Sequence, residues 1–562
     1  MVERARAGRI GGILDPRGAA AIAPEAIAGM RRALGRDAQL LLEPGTVADA
    51  DACFVNGQPV RDFGSVRDRL AAIDGAFAAA WLGADGILQL ASDPIGHRRI
   101  YYAITAGGAL VFASTLHGVL GSGLVPRRLA RSAVSIFLTF AYVPSEQTLV
   151  EGVRALPPGH VLELDPRVAS GPRIAPYWQL PSAPARFDAE PALRERLRVE
   201  LEGAVTRALP EDPEAPLGCT LSGGIDSSLV VALARRLHRG PLTTYSIAFG
   251  AEHRDELPWS ELVARHCGAR RVVVEATPSA IADELDATVA ALSQPNGDPL
   301  TVPNALLFRR AAQDTGYVLN GEGGDPCFGG PKNAPMLLAE LLELDGDDRD
   351  PYARARSYLR AHQKHYDELP AMLRPELAAQ LADHALEQLV QAWLGDARWP
   401  SLLDKLMAIN VAFKGAHHIL PKVDHLSFAS GVRPRSPLFD RRIVELSFEI
   451  PAALKRRGAV EKHLLKEAVR DLLPTAIIER PKSGMMVPVE AWFRGPLRKL
   501  AEERLIDGLG SWDLIEPRYL RDLVALRLGG LRPRHGVKIW LLLTLEAWLR
   551  NVLLGTVLRG AA

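Results

Sequence analysis

The sequence predicts an α/β protein in two unequal parts: an antiparallel β-sheet domain over residues 1–175, then a doubly wound parallel-sheet domain over 190–562 with a helical C-terminal part. Three observations carry this reading. Short alternating runs separated by Gly and Asp fill the first part, strand and helix patterns alternate from 191 to about 320, and beyond 335 amphipathic stretches take over with almost no strand-like run. At 562 residues the chain exceeds what one hydrophobic core organises, so length alone asks for at least two domains.

Composition narrows the class before any motif is read. Apolar residues make up 48% and charged residues 24%, as in an ordinary globular protein. Lys and Arg number 67 against 66 Asp and Glu, which leaves no global field to draw in nucleic acid or an anionic membrane, and neither is expected as a partner. Cys53, Cys219, Cys267 and Cys327 are scattered without a CxxC pair, which suggests neither a zinc site nor a disulfide framework. A reducing cytoplasm fits this usage. Arg4, Arg6 and Arg9 interrupt any signal-peptide core, and Ile539–Leu554, which contains Glu546 and Arg550, reads as a packed helix and not as a membrane span.

In chain order, GAFAAAWL, GILQLAS, RRIYYAI and ALVFAS read as paired antiparallel strands. The segment SGPRIAPYWQLPSAPAR, rich in proline and polar residues, marks the boundary. APLGCTL, LTTYSIAF, RRVVVE and finally YVLN follow as strands, with helices such as SSLVVALARRL between them. MLLAELLEL and EKHLLKEAVRDLL have helical periodicity.

The sharpest feature is Ser222, Gly223, Gly224, Ile225, Asp226, Ser227, Ser228, which follows a strand ending at Leu221 and opens a helix. Glycines let the backbone approach a ligand, and a helix N-terminus adds positive potential, so phosphate or pyrophosphate is the natural occupant. A carboxylate at Asp226 would repel that ligand unless a divalent cation lay between them, which implies magnesium. No lysine stands where a Walker A loop needs one. A glycine-rich turn capping a helix would explain a shorter match. A second loop, Asn320, Gly321, Glu322, Gly323, Gly324, Asp325, follows YVLN; loops leaving parallel strands at their C-terminal ends share one crevice, where Asp325 could complete the metal site.

With SGGIDSS, SIAF, NGEGGD and KHLLKEAVRDLLPTAIIERPKSG in view, the chain resembles the asparagine synthetase family. Its first part, in SDPIGHRRIYY, LVFAST, YVPSEQTLVEGVRALPPGHVLEL and YW, is similar to that family's N-terminal amidohydrolase domain. The resemblance implies a degenerate Ntn-amidohydrolase-like domain followed by a PP-loop ATP pyrophosphatase domain. It implies that ATP meets Leu221, the Ser222–Ser228 loop, Ile247, Asn320 and Gly321, with Mg2+ on Asp226 and Asp325. ATP would be split between its α and β phosphates, a carboxylate adenylated, and AMP displaced by an amine. Lys462 falls where the family places a lysine that neutralises the phosphates, with Lys482 nearby in sequence; from the residues alone, Lys462 reads as a solvated position on an amphipathic helix.

Glutamine-dependent members of that family begin with a nucleophilic cysteine. Aligning RIGGILD with such a start puts Gly8 at the nucleophile position, and Cys53 reads as a small core residue. The matched motif at Asn56 and Gly57 is NGQ, followed by a shortened segment, so the first domain is expected to be a scaffold without glutaminase activity. Relatives lacking an ammonia source resemble β-lactam synthetases and lasso peptide cyclases. The tyrosine of the β-lactam-forming dyad falls on Glu322 and its glutamate near His418, which disfavours β-lactam closure. Glu322 joins Lys462 as a candidate catalytic group, and His418 is a candidate general base or a structural histidine.

The expected function is therefore an AMP-forming amide ligase whose amine does not come from glutamine, with lasso-type macrolactam closure as the preferred version. That version would involve a peptide carboxylate substrate, a precursor peptide and a partner protease. Ammonia-dependent asparagine synthesis is the alternative, and a non-catalytic partner protein that keeps the fold is the third.

Overall fold

The computed structural model describes residues 8–35, 37–55, 58–168, 171–184, 186–250, 252–253, 256–341, 350–381, 384–480, 485–530 and 533–555. In the first part, two sheets stack. One has five strands in the order Gln39–Leu41, Ile10–Leu14, Leu110–Ala113, Tyr101–Ile104, Val153–Ala155; the other has six, Arg173–Pro176, His160–Leu164, Leu88–Ser92, Ile73–Leu82, Gly45–Val55, Gln58–Pro59. The pairs are antiparallel except Ile10–Leu14 with Gln39–Leu41, which run parallel.

The period of two explains how this sandwich is filled. Tyr102, Leu110 and Phe112 point into the layer between the sheets against Ala78, Ala80 and Leu90, while their neighbours Tyr101, Val111 and Ala113 face the opposite way into the main core. On the far side of the second sheet, Phe77 and Trp81 pack on Phe63, Val66 and Leu70.

The second part is built on a wholly parallel five-stranded sheet, Arg270–Glu275, Leu242–Ala248, Leu217–Thr220, Tyr317–Leu319, Arg433–Arg435. Leu242–Ala248 is buried along its whole length, as a strand covered on both faces should be. The chain moves outward from Leu217–Thr220 in one direction and later returns on its other side, so the sheet's switch point lies at the end of that strand. From Ala334 on, helices predominate, as the periodicity predicts. Among the described residues no helix is long and apolar enough to cross a membrane.

Two expectations need correction. YVLN is not the last strand of the sheet: Arg433–Arg435 pairs in parallel with Tyr317–Leu319, placing Val318 opposite Pro434. The residues Arg-Pro-Arg carry no apolar alternation, and the strand exists because its edge position tolerates proline and its arginines find partners elsewhere. Nor does Lys462 lie on an amphipathic helix. A small hairpin, Arg456–Arg457 with Val460–Glu461, precedes it, and the helix begins at His463.

The two parts meet through buried charges. Arg9 bridges Asp49 at 3.1 Å and Asp424 at 2.7 Å, and Arg98 engages the same two carboxylates. Asp51 receives Arg435 at 2.7 Å and Arg433 at 3.4 Å, while Asp74 receives Arg441 at 2.7 Å and Arg442 at 2.6 Å. Burial alone would raise the Asp51 carboxyl, but Arg435 and Arg433 hold it below the ordinary range. Removing one member of such a set strands the others without solvent, at a cost of about 3–5 kcal/mol. Asp424→Ala should therefore lower stability by about that amount in urea unfolding, and a loss under about 1 kcal/mol would show that the Arg9–Arg98–Asp49 remainder is self-sufficient.

Candidate functional site

The strand Leu217–Thr220 hands over to its loop without breaking the ladder, since the Leu221 amide still donates to the Tyr245 carbonyl at 2.8 Å and Ser246 Oγ donates to the Leu221 carbonyl at 2.7 Å. The loop then folds on its own hydroxyls: the Ser222 amide donates to Ser227 Oγ at 3.2 Å, and the Gly224 amide to Ser222 Oγ at 3.3 Å. Gly224 is the N-cap of the helix Ile225–Leu237 and brings no side chain to cap its first turn. Gly223 has φ +78°, and a Cβ there would lie 2.5 Å from Trp259 Cβ. Ile247, buried, lies near the C-terminal end of the neighbouring strand.

The second loop closes on the first. The Asn320 amide donates to the Arg435 carbonyl at 2.9 Å, and the Glu322 amide to Asn320 Oδ1 at 3.0 Å. A Cβ on Gly321 would sit 2.5 Å from the Ser227 nitrogen, and one on Gly324 would sit 2.2 Å from Asp226 Cγ. Contact this close leaves room for glycine alone. The missed strand Arg433–Arg435 is thus what anchors the second loop's start.

Lys462 completes the arrangement. Only 1% exposed, it reaches Asp226 with Nζ 2.6 and 2.8 Å from the two carboxylate oxygens, and Asp325 Oδ1 at 2.5 Å. Its backbone has φ 54°, a left-handed conformation that costs a non-glycine residue about 1–2 kcal/mol and that aims the side chain back across the loops. Asp226, Asp325 and Lys462, far apart in sequence, are brought together here.

Other groups cluster around the loops. Arg480 donates from Nη1 to the Gly223 carbonyl at 3.2 Å and from Nη2 to Glu256 at 2.8 Å, stacked 4.7 Å above Trp259. Lys466 is buried one turn beyond Lys462; burial and the neighbouring Lys462 charge lower its pKa below the ordinary lysine range against the pull of Glu461. Sequence reading did not single out Arg480 or Lys466. The signal was there in the basic spacing of KHLLK and in the arginine of ERPKSG, but nothing local distinguishes these from surface charges. Lys482 lies outside the described residues.

Two buried donors beside the loops have no hydrogen-bond partner among the described residues, Asn320 Nδ2 and Ser228 Oγ. Leaving such atoms unpaired is costly, so a polar ligand is the expected partner. Among the described residues no group of three or more His, Cys, Asp and Glu side chains could hold a metal alone. Asp226 and Asp325 share, among the described residues, the Lys462 ammonium, which stands where a divalent ion could bind. Two carboxylates suit a magnesium ion that arrives with substrate phosphates better than an all-protein cage.

The remaining predicted residues lie elsewhere or play other parts. Glu322 is half-buried in the second loop. His418 stacks on Tyr142 at 4.8 Å, and its carbonyl accepts from Asn296 at 3.0 Å, which puts it at the junction with the first part. Cys53 is buried, its thiol 3.2 Å from the Ala76 carbonyl, and burial, followed by Asp51, pushes its pKa far up, as suits an inert core residue. At Gly8, a Cβ would lie 2.2 Å from the Asp37 carbonyl oxygen. Asn56 and Gly57 lie outside the described residues.

Comparison with known proteins agrees with this geometry. The family model described as asparagine synthase matches residues 196–550, and that of a glutamine amidotransferase domain matches 59–178. A Bacillus subtilis protein named asparagine synthetase [glutamine-hydrolyzing] 1 is 24% identical over 497 residues, covering 83% of this chain and 76% of its own length. A putative asparagine synthetase of Mycobacterium tuberculosis H37Rv is 26% identical over 447 residues, 75% of this chain and 68% of its own. The human asparagine synthetase is 24% identical over 471 residues, 80% of this chain and 70% of its own. With paired glycine loops at the switch point of a parallel sheet, a lysine clamped between two aspartates, and a family match over most of the chain, this protein belongs to the asparagine synthase family and is an ATP-dependent, amide-forming ligase.

Proposed function

We propose that the chain adenylates a substrate carboxylate and passes the acyl group to an amine that does not come from glutamine. The preferred version is lasso-type ring closure, in which a peptide's side-chain carboxylate is activated and its own N-terminal amine attacks. A precursor peptide would then be the substrate, with a partner protease exposing that amine, all in a reducing cytoplasm. The observation that carries the ligase half of this reading is the Asp226–Lys462–Asp325 cluster beneath the Ser222–Ser228 loop. The observation behind a non-glutamine amine is Gly8, where a nucleophile's side chain would meet the Asp37 carbonyl.

In this reading the glycine-capped first turn of Ile225–Leu237 and the loop amides receive the phosphates, and Asn320 Nδ2 and Ser228 Oγ gain partners in the nucleotide. Asp226 and Asp325 would hold a magnesium ion, which when bound supplies charge neutralisation to the pyrophosphate. Lys462, turned away from the aspartates by that exchange, would stabilise negative charge as pyrophosphate leaves. Arg480 would brace the loop through the Gly223 carbonyl. Glu322, at the mouth of the second loop, and His418, farther off, are the groups that could take the amine's proton.

The direct test measures AMP release from the purified chain with two substrate sets. A peptide carrying a free N-terminus and an internal Asp or Glu, taken from a precursor gene beside this one, should yield AMP and a product lighter by one water. Turnover with aspartate and ammonium, and none with peptide, would replace ring closure by ammonia-dependent asparagine synthesis.

Two variants test the cluster with whichever substrate works. Asp226→Asn should abolish pyrophosphate release. Lys462→Met, which keeps the aliphatic stem, should lower kcat by about a hundredfold or more with ATP affinity little changed, since the lost interaction belongs mainly to the transition state. Near-parent turnover of a folded Lys462→Met chain would reduce the lysine to a structural tie between the aspartates.

The first domain should release no glutamate from glutamine above background. Gly8→Cys should not restore that activity and should destabilise the chain, because its Cβ would displace the Asp37 backbone. A glutaminase signal in the parent that disappears in Cys53→Ala would overturn the scaffold reading.

A further inference from the structure

A cavity of about 20 Å³ lies between the two parts, with room for one or two water-sized particles. Its lining carries no Asp or Glu. From the first part comes Arg99, 5% exposed, whose Nη1 donates to the Ala416 carbonyl at 2.8 Å and whose Nη2 lies 3.2 Å from His417 Nδ1. Its Nε has no hydrogen-bond partner, and among the described residues Arg99 forms no ion pair. Asp93 feels its charge at a distance, but that carboxylate is already taken by the amides of Ile95, Gly96, His97 and Arg98.

Among the described residues nothing else around the cavity neutralises this guanidinium. Burial, and then Arg99 itself, holds His417 well below the ordinary histidine range, so its Nδ1 accepts the arginine proton as a neutral ring. His425, which burial lowers to about 4, donates from Nδ1 to the Pro421 carbonyl and accepts at Nε2 from Ser293 Oγ. Lys422 is already paired with Asp298 at 2.6 Å. From the second part, Gln294 accepts the Leu149 amide at Oε1, which fixes its amide orientation and leaves Nε2 a buried donor without a partner. Arg99, among the described residues a buried cation without a carboxylate partner, and Gln294, whose Nε2 has no partner among them, therefore line one small space.

We propose that this cavity binds a small monovalent inorganic anion of halide size, held by Arg99 from one part and the Gln294 amide from the other. Such an ion supplies the missing counter-charge and ties the two parts together. Water could accept from the same donors but leaves the charge unbalanced.

Bromide is the probe. Crystals of the full chain grown in sodium bromide should show an anomalous peak within hydrogen-bond distance of Arg99 and Gln294. In solution, bromide or chloride should raise the melting temperature by about 2 °C or more over sodium gluconate at equal ionic strength, because gluconate is too large to enter. Arg99→Met should remove that increment. Gln294→Glu, nearly isosteric, places a carboxylate beside Arg99 and should make melting independent of halide, so the test does not depend on Arg99→Met folding. The absence of a peak together with identical parent melting in halide and gluconate would overturn the proposal and leave water as the occupant. So would a Gln294→Glu chain that still responds to bromide as the parent does.

Discussion

Everything at the candidate site depends on the close contact of two loops that leave adjacent parallel strands. Their separation is set by glycine: at 321 and 324 even a methyl group would collide with the backbone or with Asp226. That contact brings two carboxylates, Asp226 buried and Asp325 partly exposed, close enough to repel each other unless a cation intervenes. The Lys462 ammonium intervenes, and its unusual backbone conformation shows how far the chain goes to place it. The ammonium thus offsets the repulsion between a buried carboxylate, Asp226, and a partly exposed one, Asp325.

The same logic joins the two parts of the chain. Beside the apolar core that both parts share, their junction carries buried charge, with Arg9, Arg98, Arg433, Arg435, Arg441 and Arg442 meeting Asp49, Asp51, Asp74 and Asp424. Interfaces of this type gain little net energy from each pair but penalise any mismatch, so they define the relative placement of the parts more than they add stability. The first part's two sheets are filled mainly by apolar residues, and its buried aspartates at 49, 51 and 74 stand out against them.

Much of this was legible in the sequence because its signals are local. The strand, glycine loop and helix around Ser222–Ser228 show in composition and periodicity together, and the resemblance places Asp325 and Lys462 with them. Arg433–Arg435 was hidden because three residues, two of them basic, make a strand only when a neighbouring strand and distant carboxylates are already in position. Lys462 was placed on a helix because KHLLKEAVRDLL has helical spacing, whereas the hairpin before it and the pull of two aspartates delay the helix by one residue. Arg480 carries no mark in sequence that separates it from a surface arginine; its meaning comes from the Gly223 carbonyl it reaches.

The edge strand Arg433–Arg435 has a wider consequence. An exposed strand edge invites pairing with another chain, and this one is guarded by arginines held on Asp51 of the first part. The second part has thus delegated the charge balance of its own sheet margin to its neighbour. A shortened gene that kept only the ligase portion would inherit a basic sheet margin deprived of Asp51, with Arg435 still held by the Ala208 and Leu209 carbonyls, and two further arginines, Arg441 and Arg442, deprived of Asp74. The first part is thus the counterion of the sheet it borders, a role independent of any chemistry it performs.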